Sequence, residues 1–562
     1  MTRSSSPRRL CLERITTVVG SAVLVACGAP TNTRAADTAI ATGAPVVSAV
    51  PNWRRGATCY EVFVRSFYDS DGDGIGDLRG LTEKLDYIND GNPATSQDLG
   101  ARCIWLMPVA ESPSYHGYDA TNYYRVEPDY GTNADFTRLV DEAHRRGIAV
   151  LVDMVLNHLS SEHPYFREAL GDPASPHRTW FRWSATKPAE LGPWGQEVWH
   201  RSPVRNEYYY GIFWQGMPDL NYETPAVREE AKRIATFWLT DMRVDGFRLD
   251  AVPYLVEEGA RQLGTAGTHT FLREYAAHIR TIAPDAFTVG EVWDGIDRML
   301  PYYPDQLESY FAFDLSDTLL AAVRTGSAAP LMRRYLRFQQ EVPSGRWSTF
   351  LRNHDQTRTL TALAGDIRRA KLAATLLLTL PGLPFVYYGE EIGMTGDKPD
   401  EQLRTPMQWT AAGAAGFTRG APWEALQPDW PTTNVAAQDK DANSLLSTYR
   451  ALIHVRSANA ALGAGDFLPL VPSNDAVAAY LRRDGATVVL VVANLGTVPL
   501  SGVTLTSAAT AMVAGQYTSR SLVGGASLAS LPVSANGSIS AYAPLGTLAP
   551  LEAHVVELLR VP

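Results

Sequence analysis

The chain has 562 residues, with 50 Lys+Arg against 60 Asp+Glu and a formal net charge of −10. That length allows roughly three to four domains, and the acidic balance argues against a nucleic-acid binder held by phosphate contacts. Charged residues at 20% and hydrophobic ones at 45% exclude a disordered or polytopic membrane chain, while 13 Trp and 25 Tyr offer faces to flat apolar surfaces, sugar rings among them.

Residues 1–27 read as an export signal. Arg3, Arg8, Arg9 and Arg14 accompany an apolar stretch over 15–26, too short for a spanning helix, which needs about 20 residues. It ends Leu24-Val25-Ala26-Cys27-Gly28, which resembles the bacterial lipobox, where the Cys is acylated and becomes the mature N-terminus. Lipidation at Cys27 would anchor an exported protein in the cell envelope. A plain secretory signal would release it to the periplasm or the medium. Residues 28–50, of Ala, Thr, Pro and Val with few charges, read as a flexible tether. Cys11 would leave with the signal, so Cys59 and Cys103 remain. An oxidising exterior permits a disulfide between them, and the plainer expectation is two small buried residues in strands.

From residue 57 to about 395, β-rich runs alternate with helical patterns. Strands are expected at 60–64, 103–108, 149–153, 246–250, 288–292, 310–313, 348–351 and 384–388. Between them Leu78, Leu81, Leu85 and Ile88 recur at helical spacing, as do Phe136, Leu139, Val140 and Ala143, closed by Gly147. Eight such units predict an α/β fold, a (β/α)₈ TIM barrel. Between the third and fourth strands lies a long stretch containing Trp180, Trp183, Trp194, Trp199 and Trp214. An insertion there belongs at the C-terminal face of a barrel, where active sites are built. Trp180, Trp183, Trp194 and Trp199 are each expected in the core of the inserted domain rather than on a sugar. After residue 460, Asp484-Gly485 joins two strand-like runs, 478–482 and 487–493, and predicts a C-terminal antiparallel β-sandwich. The expected organisation is barrel over 51–156, inserted domain over 157–222, barrel over 223–465 and sandwich over 466–562.

Side chains two apart on a strand share a face, so Arg248 and Asp250 point together at the catalytic rim. Glu291 ends the next strand, His354 and Asp355 follow another, and Asp153 precedes Asn157 and His158. One such acid alone is usually a salt bridge or a helix cap. Their recurrence at corresponding positions of a repeating unit points to an acid/base constellation.

Four segments, Asp153-Met-Val-Leu-Asn157-His158, Gly246-Phe-Arg248-Leu-Asp250, Gly290-Glu291-Val-Trp293 and Phe350-Leu-Arg-Asn353-His354-Asp355, resemble in this order the signature regions of the α-amylase family, glycoside hydrolase family 13. Further similarity lies in Tyr115-His116-Gly117-Tyr118-Asp119, Met217-Pro-Asp-Leu-Asn221, Phe385-Val-Tyr-Tyr-Gly-Glu-Glu391 and Arg404-Thr-Pro-Met-Gln-Trp409. The resemblance spans about residues 52–460. It implies Asp250 as the nucleophile, Glu291 as the general acid and then base, and Asp355 as a binder of sugar hydroxyls. Arg248 would orient Asp250. His158 and His354 would hydrogen-bond the sugar, with Tyr118 stacked beneath it and Asp119 in the same substrate-binding set.

Asp69-Ser-Asp71-Gly-Asp73-Gly-Ile75-Gly-Asp77 puts oxygen ligands at alternate positions. It is no EF-hand, because the twelfth position is Gly80 and the loop follows a strand. Similar loops in oligo-1,6-glucosidase-type relatives imply a structural Ca²⁺ or Mg²⁺ held by Asp69, Asp71, Asp73, Asp77 and the Ile75 carbonyl. A second family calcium site often uses the Asn equivalent to Asn157, with partners that the sequence does not place.

Met217-Pro-Asp-Leu-Asn221 is similar to α-amylases intermediate between the oligo-1,6-glucosidase and neopullulanase groups. Asp250-Ala-Val-Pro-Tyr254-Leu255 resembles trehalose synthases. The expected activity is hydrolysis of α-1,4-glucans by a monomer, with α-glucosidase or maltose isomerase as the alternative. A non-catalytic glucan binder or transporter subunit would have lost catalytic acids that are all present here.

Overall fold

The computed structural model describes residues 49–507, 510–525 and 527–562. The expected signal, Cys27 and nearly all of the tether lie outside them. Eight parallel strands close a barrel: β1 (Cys59–Val62), β2 (Cys103–Leu106), β3 (Ala149–Met154), β4 (Gly246–Leu249), β5 (Phe287–Gly290), β6 (Ser309–Phe311), β7 (Trp347–Thr349) and β8 (Leu383–Tyr387). Each pairs with its neighbours in chain order and β8 returns to β1. The connecting helices carry the apolar stripes read from the sequence. Asn133–Arg145, for example, buries Phe136, Leu139, Val140 and Ala143 and starts with a Thr132/Asp135 capping box. A Cβ at Gly246 would lie 1.9 Å from the Phe287 carbonyl oxygen, so glycine is needed where β4 approaches β5.

Alternation along the strands sorts side chains into two layers. Tyr60, Val62, Ile104, Leu106, Val150 and Val152 face the helices. Cys59, Cys103, Trp105, Leu151, Phe287, Val289, Phe311 and Phe385 fill the barrel interior. Cys59 and Cys103 are register partners on β1 and β2 and are joined by a disulfide, Cα atoms 4.3 Å apart. This corrects the expectation of two unpaired buried cysteines. Parallel pairing puts both on the inward face at one level, which their spacing in the sequence does not reveal. Replacing both by Ala should cost about 4 kcal/mol of stability, because the bond closes a 44-residue separation. Equilibrium denaturation of the double variant measures it, and an unchanged midpoint would contradict a structural role.

Between β3 and β4 the chain forms a helix, Pro164–Gly171, and a three-stranded sheet of Trp183–Ser184, Tyr208–Tyr210 and Trp199–Arg201. Trp180 and Trp199 are buried and Trp183 is half-buried, as expected of core residues, whereas Trp194 is 61% exposed. The core expectation therefore fails at Trp194. Its loop is closed by a Leu191–Glu197 bridge.

The C-terminal unit is a six-stranded antiparallel sheet with two short two-stranded sheets and its own core, including Leu481, Leu490, Leu505, Leu531 and Val556. The turn at Gly485 joins its strands Val477–Asp484 and Thr487–Asn494. Buried Arg482 donates to the Thr379 carbonyl at 2.6 Å, tying the sheet to the barrel helix Ile367–Thr379.

Candidate active site

On four of the eight strands the inward row ends in a charged residue at the C-terminal mouth. Two positions after Cys59 comes Glu61, after Leu151 comes Asp153, and after Val289 comes Glu291, while Arg248 and Asp250 close β4. Trp105 lies beneath this layer, its ring 5.2 Å from the Arg248 guanidinium. Arg248 is 1% exposed and is the hub. Its Nη1 donates to Asp153 Oδ1 at 2.8 Å and to Asp250 Oδ1 at 2.7 Å, and its Nη2 lies 2.8 Å from Glu291 Oε2. Ala251, in the left-handed region at φ 43°, donates its N–H to the same Glu291 oxygen at 3.0 Å. A non-glycine residue adopts that conformation at a cost, here spent on aiming one amide at one carboxyl.

One guanidinium cannot neutralise three acids. Burial pushes the Glu291 carboxyl up to about 7, with Asp250 and Asp355 adding to the rise against the pull of Arg248. Burial likewise raises Asp153 to about 6, opposed by Arg248 and reinforced by Asp250. Near neutrality Glu291 is thus partly protonated beside an Arg248-bound Asp250, an arrangement able to deliver a proton and a nucleophile to one place.

Asp355 lies across the mouth. Arg404 Nη2 donates to its Oδ1 at 2.8 Å and His354 Nε2 lies 3.1 Å from its Oδ2. Burial opposes ionisation, but His354 and Arg404 outweigh it and hold the carboxyl well below the usual range. His354 Nδ1 contacts Glu61 Oε1 at 2.6 Å. Burial disfavours the imidazolium, yet Asp355 and Glu61 lift its pKa to about 9, so it is a cation at neutral pH. The Tyr118 hydroxyl bridges Asp153 Oδ2, at 3.0 Å, and His354 Nε2, at 2.6 Å. His158 Nε2 donates to the Tyr118 carbonyl at 3.0 Å and its pKa is lowered by burial, leaving it neutral.

Asp250, Glu291, Asp355, Arg248, His354, Tyr118 and His158 therefore meet at one mouth. Asp119 differs: its carboxylate accepts from Ser112 Oγ at 2.8 Å and from Ser114 Oγ, within the loop that presents Tyr118. Two further members, Glu61 and Arg404, have no site role in the sequence reading, and Asp153, read there only as a strand-end acid, is bonded to both Arg248 and Tyr118. For Glu61 and Asp153 the available signal was an acid in an apolar strand, two positions beyond an interior residue.

In the first βα loop, ligand oxygens of Asp69, Asp71 and Asp77 lie within 4.8 Å of one another. Asp73 is outside that group, its Oδ1 accepting from Ile75 N at 2.8 Å. Asp69 accepts from the amides of Asp71, Gly72 and Gly74, and Asp77 also caps the helix Leu78–Glu83. An all-oxygen set of three carboxylates fits a hard divalent cation, and these residues could hold one.

The geometry has close counterparts. Residues 61–465 match the family model described as alpha amylase, catalytic domain. The chain is 39% identical to Alpha-amylase 3 of Dictyoglomus thermophilum, over 79% of this chain and 85% of the relative. It is 36% identical to Trehalose synthase/amylase TreS of Mycolicibacterium smegmatis, over 77% and 81%. The crystal structure of alpha-amylase from H. orenii superposes with a TM-score of 0.78 and 38% identity, covering 90% of this chain and 99% of that one. With its barrel, its strand-end carboxylates and these matches, the chain belongs to the α-amylase family, glycoside hydrolase family 13, and is an α-amylase-type glycosidase.

Proposed function

We propose that the enzyme is a retaining glycoside hydrolase that cleaves α-1,4-glucosidic bonds of starch-like glucans and malto-oligosaccharides. One observation carries this reading: Asp250 and Glu291 are bonded to the two ends of one guanidinium, and burial raises Glu291 to about 7. Double displacement needs two neighbouring carboxyls, about 5–5.5 Å apart, one ionised and one protonated. Asp250 attacks the anomeric carbon through the oxygen that Arg248 does not hold, while Glu291 protonates the departing glycosidic oxygen. Glu291, now a carboxylate, takes a proton from the water that releases the sugar from Asp250. Asp355, kept ionised by His354 and Arg404, accepts sugar hydroxyls and faces the positive charge that develops at the ring. The names of the relatives support an α-glucan as substrate.

A second reading, isomerisation of maltose to trehalose, has its own support in the relative named trehalose synthase/amylase and in the Asp250-Ala-Val-Pro-Tyr254-Leu255 run. Chromatography of products from starch and from maltose separates the readings. Malto-oligosaccharides from starch are expected. Glucose alone would indicate an α-glucosidase, and trehalose from maltose would indicate the isomerase.

The Asp69/Asp71/Asp77 cluster is proposed as a structural Ca²⁺ site, with Mg²⁺ as the competing ion. Ca²⁺ at about 100 times its Kd should stabilise the fold by about 2.7 kcal/mol, an effect that chelation removes. Thermal melts with chelator and after Ca²⁺ or Mg²⁺ addition, on the native chain and on Asp69→Asn, check this, and coincident melts would contradict it. Export, and anchoring through a lipidated Cys27, are proposed from the leader; the Cys59–Cys103 disulfide accords with an oxidising compartment.

A further inference from the structure

Glu61 ends the inward row of β1 in register with Trp105 on β2, the level beneath the charged mouth. It is 2% exposed, and its Oε1 lies 2.6 Å from Nδ1 of His354. The His354 ring is fixed from two other sides. Trp105 meets it edge-on at 5.6 Å, and Tyr118 stacks on it at 5.6 Å and 13°. The orientation of the ring therefore does not depend on Glu61. What Glu61 adds is an acid at Nδ1, opposite the Asp355 carboxylate that stands 3.1 Å from Nε2.

A neutral imidazole carries one proton, so one of its nitrogens would meet a carboxyl oxygen as acceptor against acceptor. Both contacts are hydrogen bonds only when both nitrogens carry protons. The groups around the pair pull in opposite directions. Asp153 stands behind the Tyr118 hydroxyl, and Tyr387 lies beside Glu61. Arg404 donates to the His354 carbonyl at 3.1 Å and to Asp355, and Arg248 lies across the Tyr118 ring. Two guanidinium groups oppose a third cation here, so the imidazolium depends on the carboxyls at both of its ends.

We propose that Glu61 is a positioning residue for glucosyl transfer: it holds the second proton on His354, which keeps Nε2–H on Asp355 and Asp355 ionised where positive charge develops on the sugar. Buried beneath the mouth, Glu61 touches neither the sugar nor the reacting carboxyls and acts only through His354. The inference rests on the glycosidase reading above and deepens it. Without Glu61 the ring gives up a proton more readily, Nε2 turns from donor to acceptor, and Asp355 loses the bond that fixes its charge.

The test is the pH dependence of kcat/KM on α-glucosyl fluoride for the full chain and for Glu61→Gln, His354→Gln and the double variant. Fluoride leaves without protonation, so titration of Glu291 does not shape the alkaline side. Glu61→Gln keeps the volume and an acceptor for Nδ1–H and removes only the charge. The unsubstituted enzyme should hold its rate between pH 7 and 8.5, whereas Glu61→Gln should lose about tenfold over that range. His354→Gln should be slow throughout, and adding Glu61→Gln to it should change the rate by less than about twofold. Nitrogen NMR of isotope-labelled histidine in the unsubstituted chain should show both His354 nitrogens protonated at pH 8, the signal being identified by its loss in His354→Gln. A Glu61→Gln profile parallel to that of the unsubstituted enzyme, losses that multiply in the double variant, or a neutral His354 at pH 8 would each overturn the proposal while sparing the glycosidase reading. No release of fluoride by the unsubstituted enzyme would overturn both.

Discussion

Asp250→Asn and Glu291→Gln are each expected to lower kcat on malto-oligosaccharides by about 10³-fold or more, with the thermal midpoint little changed. Both replacements are isosteric and keep a polar atom facing Arg248, so the loss belongs to chemistry rather than folding. The two variants should differ in a second readout. An α-glucosyl fluoride has a leaving group that needs no protonation, so Glu291→Gln should retain far more of its first step on that substrate than Asp250→Asn. The pH profile follows from the same residue. Glu291 must be protonated to act as the acid, and its pKa stands at about 7 because burial and the negative charges of Asp250 and Asp355 outweigh Arg248. On its alkaline side the activity profile therefore falls as pH rises through that value. Near-normal kcat in either variant, or a profile flat from pH 6 to 8, would sink the assignment.

The second large effect is on stability. Arg248→Met should destabilise the fold by about 3–5 kcal/mol, because it leaves Asp153, Asp250 and Glu291 in the barrel mouth without their shared cation. Burial already raises Asp153 and Glu291 above their unfolded-chain values against the pull of Arg248, and loss of the guanidinium raises them further. Their destabilisation is then present at high pH and is relieved as pH falls and they protonate. The deficit measured by denaturant at pH 8 should exceed that at pH 5, a dependence that lost packing alone would not produce. A deficit below about 1 kcal/mol at both pH values would show that the three acids do not depend on Arg248.

Much of this site was legible because strand alternation is a strict period of two. Once the strands ending near Asp153, Asp250 and Glu291 are recognised, their inward rows must meet at one mouth. Partners brought together only by closure of the barrel were not legible. Arg404 reaches Asp355 across 49 residues, and Glu61 meets His354 across 293. The Cys59–Cys103 bond depends on the register of β1 against β2, and register is absent from the spacing of two cysteines. Trp194 defeated a composition argument that is sound on average: tryptophans bury, but this one sits on a loop pinned by Gln196 over the cleft. In the Asp69–Asp77 loop the alternation of acids was visible, while local turns decided which carboxyls converge, leaving Asp73 facing the Ile75 amide.

The central claim is a covalent intermediate on Asp250. Glu291→Gln incubated with 5-fluoro-α-glucosyl fluoride, followed by intact-mass measurement and peptide mapping, tests it most directly. The account predicts one added fluoroglucosyl unit, located on the peptide that contains Asp250 and absent from Asp250→Asn/Glu291→Gln. Hydrolysis of the reagent without an adduct, or an adduct on any other residue, would contradict it.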